Sequence, residues 1–186
     1  MDAIELLRYQ VRQTWDWLDM TMSDVTEEAA NWQPPGIANS IAATYAHTMI
    51  AADEDFNKVL AGDRMLLTTT WKDRCGLSEL PPDGEWDWQA WAKRMHMDLS
   101  AFRQYAAAVR QTVENWLDRM TPELLARDVD MTPFGLGVWK GLEIFNLHVH
   151  HPRIHGGEIA CLKGMQGATG WATRQPTPAK LPEIVQ

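Results

Sequence analysis

Apolar residues recur at Ile4, Leu7, Val11, Trp15, Leu18 and Met22, in steps of three and four that mark one face of a helix. A turn follows, with Ser23 or Asp24 as its cap and TEEAAN as a brief helical piece. The stretch NWQPPGIANS then breaks the chain with two prolines and a glycine. Asn39 or Ser40 can cap a second helix, which runs through IAATYAHTMIAADEDFNKVLA and stops at Gly62. Residues 63–86 read as a long connection ending in turn-rich LPPDGEWD, after which Asp87 caps a third helix. Its stripe is the longest in the chain: Trp91, Met95, Leu99, Phe102, Ala106, Val109, Val113, Trp116 and Met120. Thr121-Pro122-Glu123 opens a second short helix, and DVDMTPFGLG is extended and turn-rich, suited to a small hairpin or a cover over one bundle end. A fourth helix runs from Val138 to Lys163 and stops at Gly164.

The pattern therefore predicts long helices over 2–21, 40–61, 88–119 and 138–163. Four amphipathic helices in one chain of this length make an all-α four-helix bundle, with a long second connection and short accessory helices. The connection is long enough to travel along the bundle instead of closing a tight hairpin. The expected division is a bundle over residues 1–167 and a Pro-rich tail over 168–186.

Composition narrows the function. With a net charge of −8, the chain is not expected to partner nucleic acid. No run of 18 apolar residues is present, so no membrane partner is expected. The opening MDAIELLRYQ lacks the apolar core of a signal peptide, and Cys75 and Cys161 stand far apart without a CxxC. Both features point to the cytoplasm. Cys161, two residues past Ile159, reads as helix packing. The ten tryptophans suit half-buried seams. Trp and Met are too abundant on the first and third helices to fit one small core, and the surplus predicts a homodimer.

The chemistry rests on histidine. His47 sits alone in an apolar helical stretch, and HHPRIHGGEIACLKG holds an H-x-x-x-H pair a hundred residues later. Neutral imidazole is the commonest metal ligand, and three protein ligands with a fourth position open is the pattern of a catalytic centre. At about 100° per residue, His148, His151 and His155 share the inward face of the last helix with Ile144, Phe145 and Ile159, while His150 points away. Spacing alone leaves all three open; the tight i, i+4 pair favours His151 with His155. His96, among Lys93 and Arg94, reads as surface. Pro152 is expected to kink or restart the helix, and Gly156 and Gly157 weaken it further. Glu158, Glu54 and Asp55 are the carboxylates near these rings, as bases or as partners that orient an imidazole.

These stretches carry a family likeness. IANSIAATYAHTMIAADEDF resembles the second helix of the DinB/YfiT-like superfamily, where a motif opening N-x-I-x-x-x-x-x-H supplies the first metal histidine. HPRIHGGEIACLKGMQG resembles its last-helix motif, H-x-x-x-H-x-G-[QE]-I, with Pro152 as a departure inside it. The resemblance covers residues 1–167 and implies His47, His151 and His155 as ligands of a divalent ion, often zinc or nickel, in a bundle that is frequently a homodimer. It further implies a small-molecule substrate: some relatives transfer low-molecular-weight thiols. Two other readings stand beside a metal-dependent thiol S-transferase: a metal-dependent hydrolase and a non-enzymatic metal- or ligand-binding bundle.

Overall fold

The computed structural model describes residues 2–82 and 88–170; the expected cap Asp87 and residues 171–186 of the Pro-rich tail lie outside them. Helix α1 spans Ala3–Met22 and opens on a capping box between Asp2 and Glu5. The short α2, Glu27–Asn31, is capped by Thr26, downstream of the expected Ser23 or Asp24. Ser40 caps α3, Ile41–Asp53, as the sequence predicts. The chain then widens into a π-helical segment, Glu54–Leu60, before Gly62 turns it away at φ 73°.

The third helix differs from expectation. It is divided into α4, Gln89–Arg94, and α5, Leu99–Asp118. Between them Met95, Met97 and Leu99 are buried while His96 and Asp98 are exposed, an alternation of period two that belongs to extended backbone. Met97 bridges to Leu77, and Asn31 completes the pairing by exchanging side-chain bonds with the Met97 N–H and carbonyl. Asp98 caps the restarted helix. Gly76, at φ 81°, approaches this corner so closely that a Cβ would lie 2.5 Å from the Asp98 carbonyl.

Thr121 caps α6, Pro122–Ala126. Residues 138–140, predicted to begin the fourth helix, form a strand instead. Strands β1, Asp128–Asp130, and β2, Val138–Lys140, make the small antiparallel hairpin, with Val129 opposite Trp139. The last helix, α7, covers Gly141–Met165 without interruption. Pro152 does not break it. It removes the donor to the His148 carbonyl, and the Thr14 hydroxyl donates to the adjacent Val149 carbonyl at 3.1 Å. Gly156 meets only Leu18, at the ordinary distance of 4.0 Å, and Gly157 faces open space, so no close helix approach demands either glycine.

Contacts fix the helix directions. Arg12 of α1 bonds Glu114 and Arg103 bonds the Met22 carbonyl, so α1 and α5 are antiparallel. Asp55 and Phe56 meet His148 and Phe145, so α3 and α7 are antiparallel. Thr14 meets Val149 and Thr21 meets Lys163, so α1 and α7 run parallel, as do α3 and α5 through Tyr45–Phe102 and Asp53–Tyr105. Parallel α3 and α5 require a connection that travels back along the bundle, and residues 63–82 run that way, from Trp71 beside Tyr105 to Gly76 beside Asp98. The molecule is an all-α four-helix bundle with a two-stranded hairpin at one end. Among the described residues, no helix is long and apolar enough to cross a membrane.

Asp53 ties that connection to the core. It is fully buried and accepts from the Leu66 and Leu67 backbone N–H groups, the Asn57 amide and the Tyr105 hydroxyl. Burial, and then Asp53 itself, push the Tyr105 pKa well above its ordinary value, so this hydroxyl stays a donor. Asp53→Ala strands four donors, those of Leu67 and Tyr105 fully buried, and is expected to cost about 3 kcal/mol or more of unfolding free energy; Tyr105→Phe should cost about 1 kcal/mol. Urea unfolding checks both, and an Asp53→Ala protein as stable as the parent would contradict the latch.

Candidate metal centre

Helix α3 contributes His47 and the antiparallel α7 contributes His151 and His155, one turn apart. The three rings meet through their Nε2 atoms. His47 Nε2 lies 3.1 Å from His151 Nε2, which lies 3.0 Å from His155 Nε2. One ligand atom from each ring fits within 4.8 Å of the others, a group that can hold a metal ion. The rings stand nearly edge to face, with centroids 4.4–5.0 Å apart, so the lone pairs point to one place instead of stacking past each other. Nitrogens bound at about 2.0–2.1 Å on one tetrahedral ion lie roughly 3 Å apart, so the spacing suits a shared ion.

The second nitrogen of each ring sets its tautomer. His155 Nδ1 is 2.7 Å from Glu158 Oε2; a proton held there leaves the Nε2 lone pair directed inward. His151 Nδ1 is buried without a partner among the described residues. His47 packs against the edge of Trp88, with ring centroids 5.4 Å apart. Burial, followed by the His155 ring, lowers the His47 pKa to about 4. Burial, followed by the rings of His155, His47 and His148, lowers that of His151 to about 3. Both rings are therefore neutral near pH 7, the state in which imidazole offers a lone pair. All three histidines are only partly buried.

His148 shares the inward face by spacing but not the cluster. It is fully buried, its Nε2 is 3.0 Å from Asp55 Oδ2, and its ring lies against Trp15 and Phe56. The π-helical segment carries this carboxylate. Sequence reasoning counted Asp55 among the nearby carboxylates without seeing that pairing, because the π-helical turn changes which residues face α7. Glu54 is paired with Lys58 at 2.7 Å. His150 and His96 are exposed, as expected. Cys161, read as a packing residue, is instead an exposed free thiol on α7, while Cys75 is buried. Its neighbours Ile159, Ala160 and Leu162 take the buried positions.

The sequence profile of the DinB superfamily matches residues 10–159, a span that includes all three histidines. The chain belongs to the DinB superfamily. A crystal structure titled as the conserved protein of locus from Enterococcus faecalis shares the architecture of this DinB-superfamily chain, with a TM-score of 0.72 at 18% identity, over 88% of this chain and 96% of that one. At that identity the likeness concerns the fold alone. No curated protein matches the chain.

The lowered pKa values give a pH signature for the metal-free protein. In the unfolded chain these rings take up protons near pH 6.5. Folding must then exclude protons between that pH and the folded values of about 4 and 3, so the contribution of these rings to stability is complete above about 6.5 and falls as pH drops below it. In metal-free protein, the His47 and His151 ring resonances are expected to keep their neutral-form shifts at pH 6. Protonation of either ring at that pH, read by nitrogen-edited NMR, would contradict the assigned burial.

Proposed function

We propose that this chain is a divalent-metal-dependent enzyme in which His47, His151 and His155 hold the ion and one position stays open to substrate. The observation that carries the reading is the meeting of three Nε2 atoms from two helices, with pairs at 3.0 and 3.1 Å. Zinc or nickel suits an all-imidazole donor set. A bound ion would supply Lewis acidity that lowers the pKa of a coordinated thiol or water. The chain's own residues set the geometry: Glu158 holds the His155 ring, and Trp88 packs against His47.

Of the possible chemistries, transfer of a low-molecular-weight thiol to an electrophile is the reading we favour. Hydrolysis would need a carboxylate free to act as base. Glu158 is engaged by His155, Asp55 by His148 and Glu54 by Lys58. A thiol whose acidity is raised at the open position needs no such base. A cytoplasmic setting, where such thiols are abundant and reduced, goes with this reading.

Isothermal titration of chelated protein with zinc and nickel is expected to give one site per chain. Ala at His47, His151 or His155 should weaken it by orders of magnitude, and Glu158→Ala by about 10- to 100-fold. His150→Ala should leave it unchanged. Loss of binding in His148→Ala but not in His151→Ala would overturn the ligand set. Metal-loaded protein should then turn over 1-chloro-2,4-dinitrobenzene only with a thiol such as L-cysteine. Thiol-independent cleavage of p-nitrophenyl acetate would establish the hydrolase instead, and inactivity in both would leave a binding bundle.

We further propose a homodimer, at a different surface from that expected. The large side chains Trp15, Met22, Trp91, Met95 and Met120 are buried within the chain, while Trp17, Met20 and Trp116 are only partly buried. The end where Ile4, Leu125 and Leu142 line a shallow apolar groove is the better candidate, with Leu142 48% exposed. Light scattering should show a dimer that Leu142→Glu dissociates; a monomer at tens of micromolar would reject it.

A further inference from the structure

Helix α7 ends in a turn that sends the chain back along it. Gly167 takes φ 79°, and the Gly167 and Ala168 N–H groups donate to the Gly164 and Lys163 carbonyls. Two residues later Gly170 lies against the Ala160 peptide, so closely that a Cβ would stand 2.5 Å from the carbonyl oxygen. Only glycine allows that approach. Residues 168 and 170 thus meet 163 and 160 in turn, and the chain reaches Gly170 running antiparallel to α7.

The face of α7 ahead of Gly170 is bare. Gly157 lies one turn before Ala160 on the same side of the helix and is exposed. A side chain there would meet nothing within 4 Å among the described residues, although glycine weakens a helix relative to alanine. Ile154 borders this position and is 60% exposed. An extended chain advances about 3.3 Å per residue against roughly 1.5 Å for a helix, so two residues of it pass three or four of α7. The step from 168 to 170 passes three, from Lys163 to Ala160. A further step of the same size brings residue 172 to Gly157. Alternate residues of an extended chain share a face, so residue 172 presents to α7 the side that Gly170 presents to Ala160. That residue is an alanine, small enough to seat over a glycine.

We propose that residues 171–174 of the tail dock on this face as a strap, with the Ala172 methyl seated over Gly157 beside Ile154. Pro176 and Pro178 follow in the sequence and favour extended backbone, which lowers the entropy lost on docking. Gly157 stands about 200° around α7 from His155, so the strap leaves the histidine cluster uncovered. It braces the last turns of α7 from outside and withholds Gly157 and Ile154 from a second copy of the chain.

The test is NMR of the full-length protein, with trypsin as a second probe. Nuclear Overhauser contacts from the Ala172 methyl to the Gly157 α protons are expected, and the amides of residues 171–174 should show heteronuclear Overhauser values close to those of α7. Trypsin should cut after Lys180 roughly tenfold or more faster than after Arg174. Gly157→Leu is the decisive variant. Its side chain meets nothing among the described residues and leucine is the better helix former, so the bundle keeps its fold, which the thermal midpoint verifies. It takes the place of the Ala172 methyl, and should lower the heteronuclear values of 171–174 and raise cleavage at Arg174 by roughly tenfold. Gly170→Ala, which sets a Cβ against the Ala160 carbonyl, should do the same from the near end. Low heteronuclear values at 171–174 in the parent, equal cleavage at Arg174 and Lys180, or no response to Gly157→Leu would each overturn the proposal. An Ala172–Gly157 contact seen only between differently labelled chains would give the face to a second copy and overturn it too.

Discussion

One hydrogen bond sets the alignment on which the histidine cluster depends. Asp55, carried inward on the π-helical end of α3, meets the buried His148 of α7 at 3.0 Å. Both groups are desolvated, and neither has another described partner, so sliding one helix along the other would leave a carboxylate and an imidazole unpaired in the core. Phe56 and Phe145 pack beside the pair and fill the same seam. With α3 and α7 fixed at that turn, His151 and His155 come level with His47. Asp53 makes a corresponding attachment on the opposite side of α3, to the long connection and to α5.

The bundle was legible because α1 and α5 are strongly periodic, and the three metal-type histidines because His47 stands alone in an apolar helix and His151 and His155 stand at i, i+4. His148 was ambiguous for a physical reason: helical spacing assigns a face, and the face holds both a core pair and a cluster member. The third helix was read too long because Trp91, Met95 and Leu99 satisfy a step of four while Met95, Met97 and Leu99 satisfy a step of two. The second pattern prevails because Asn31 and Leu77, both remote in sequence, supply the extended segment's partners. Val138–Lys140 was assigned to a helix for the same reason, since pairing with Asp128–Asp130 is tertiary information. Pro152 does not make α7 restart, and the Thr14 hydroxyl donates to the Val149 carbonyl beside the gap it leaves. The connection and α4 add core of their own and take up part of the Trp and Met that seemed in excess, Trp91, Met95 and Met97 among them.

The arrangement divides the labour between two layers. The inner layer is three imidazoles, two of which, His47 and His151, have pKa values lowered by burial and then by the neighbouring rings. Behind it, Glu158 orients His155, while Asp55 and His148 hold the helices that carry the cluster. Every carboxylate that sequence spacing offered as a catalytic base is engaged in this support or in a surface ion pair. That is the structural reason for preferring a reaction whose nucleophile is acidified at the ion over one that needs a protein base.

X-ray absorption at the metal edge, on protein purified without a polyhistidine tag and loaded with one equivalent of zinc, tests this account most directly. The account predicts three imidazole nitrogens at about 2.0–2.1 Å, with the multiple scattering of histidine rings, plus one lighter, exchangeable ligand. A shell of oxygens without imidazole scattering, or a shell unchanged in the His151→Ala protein, would contradict it.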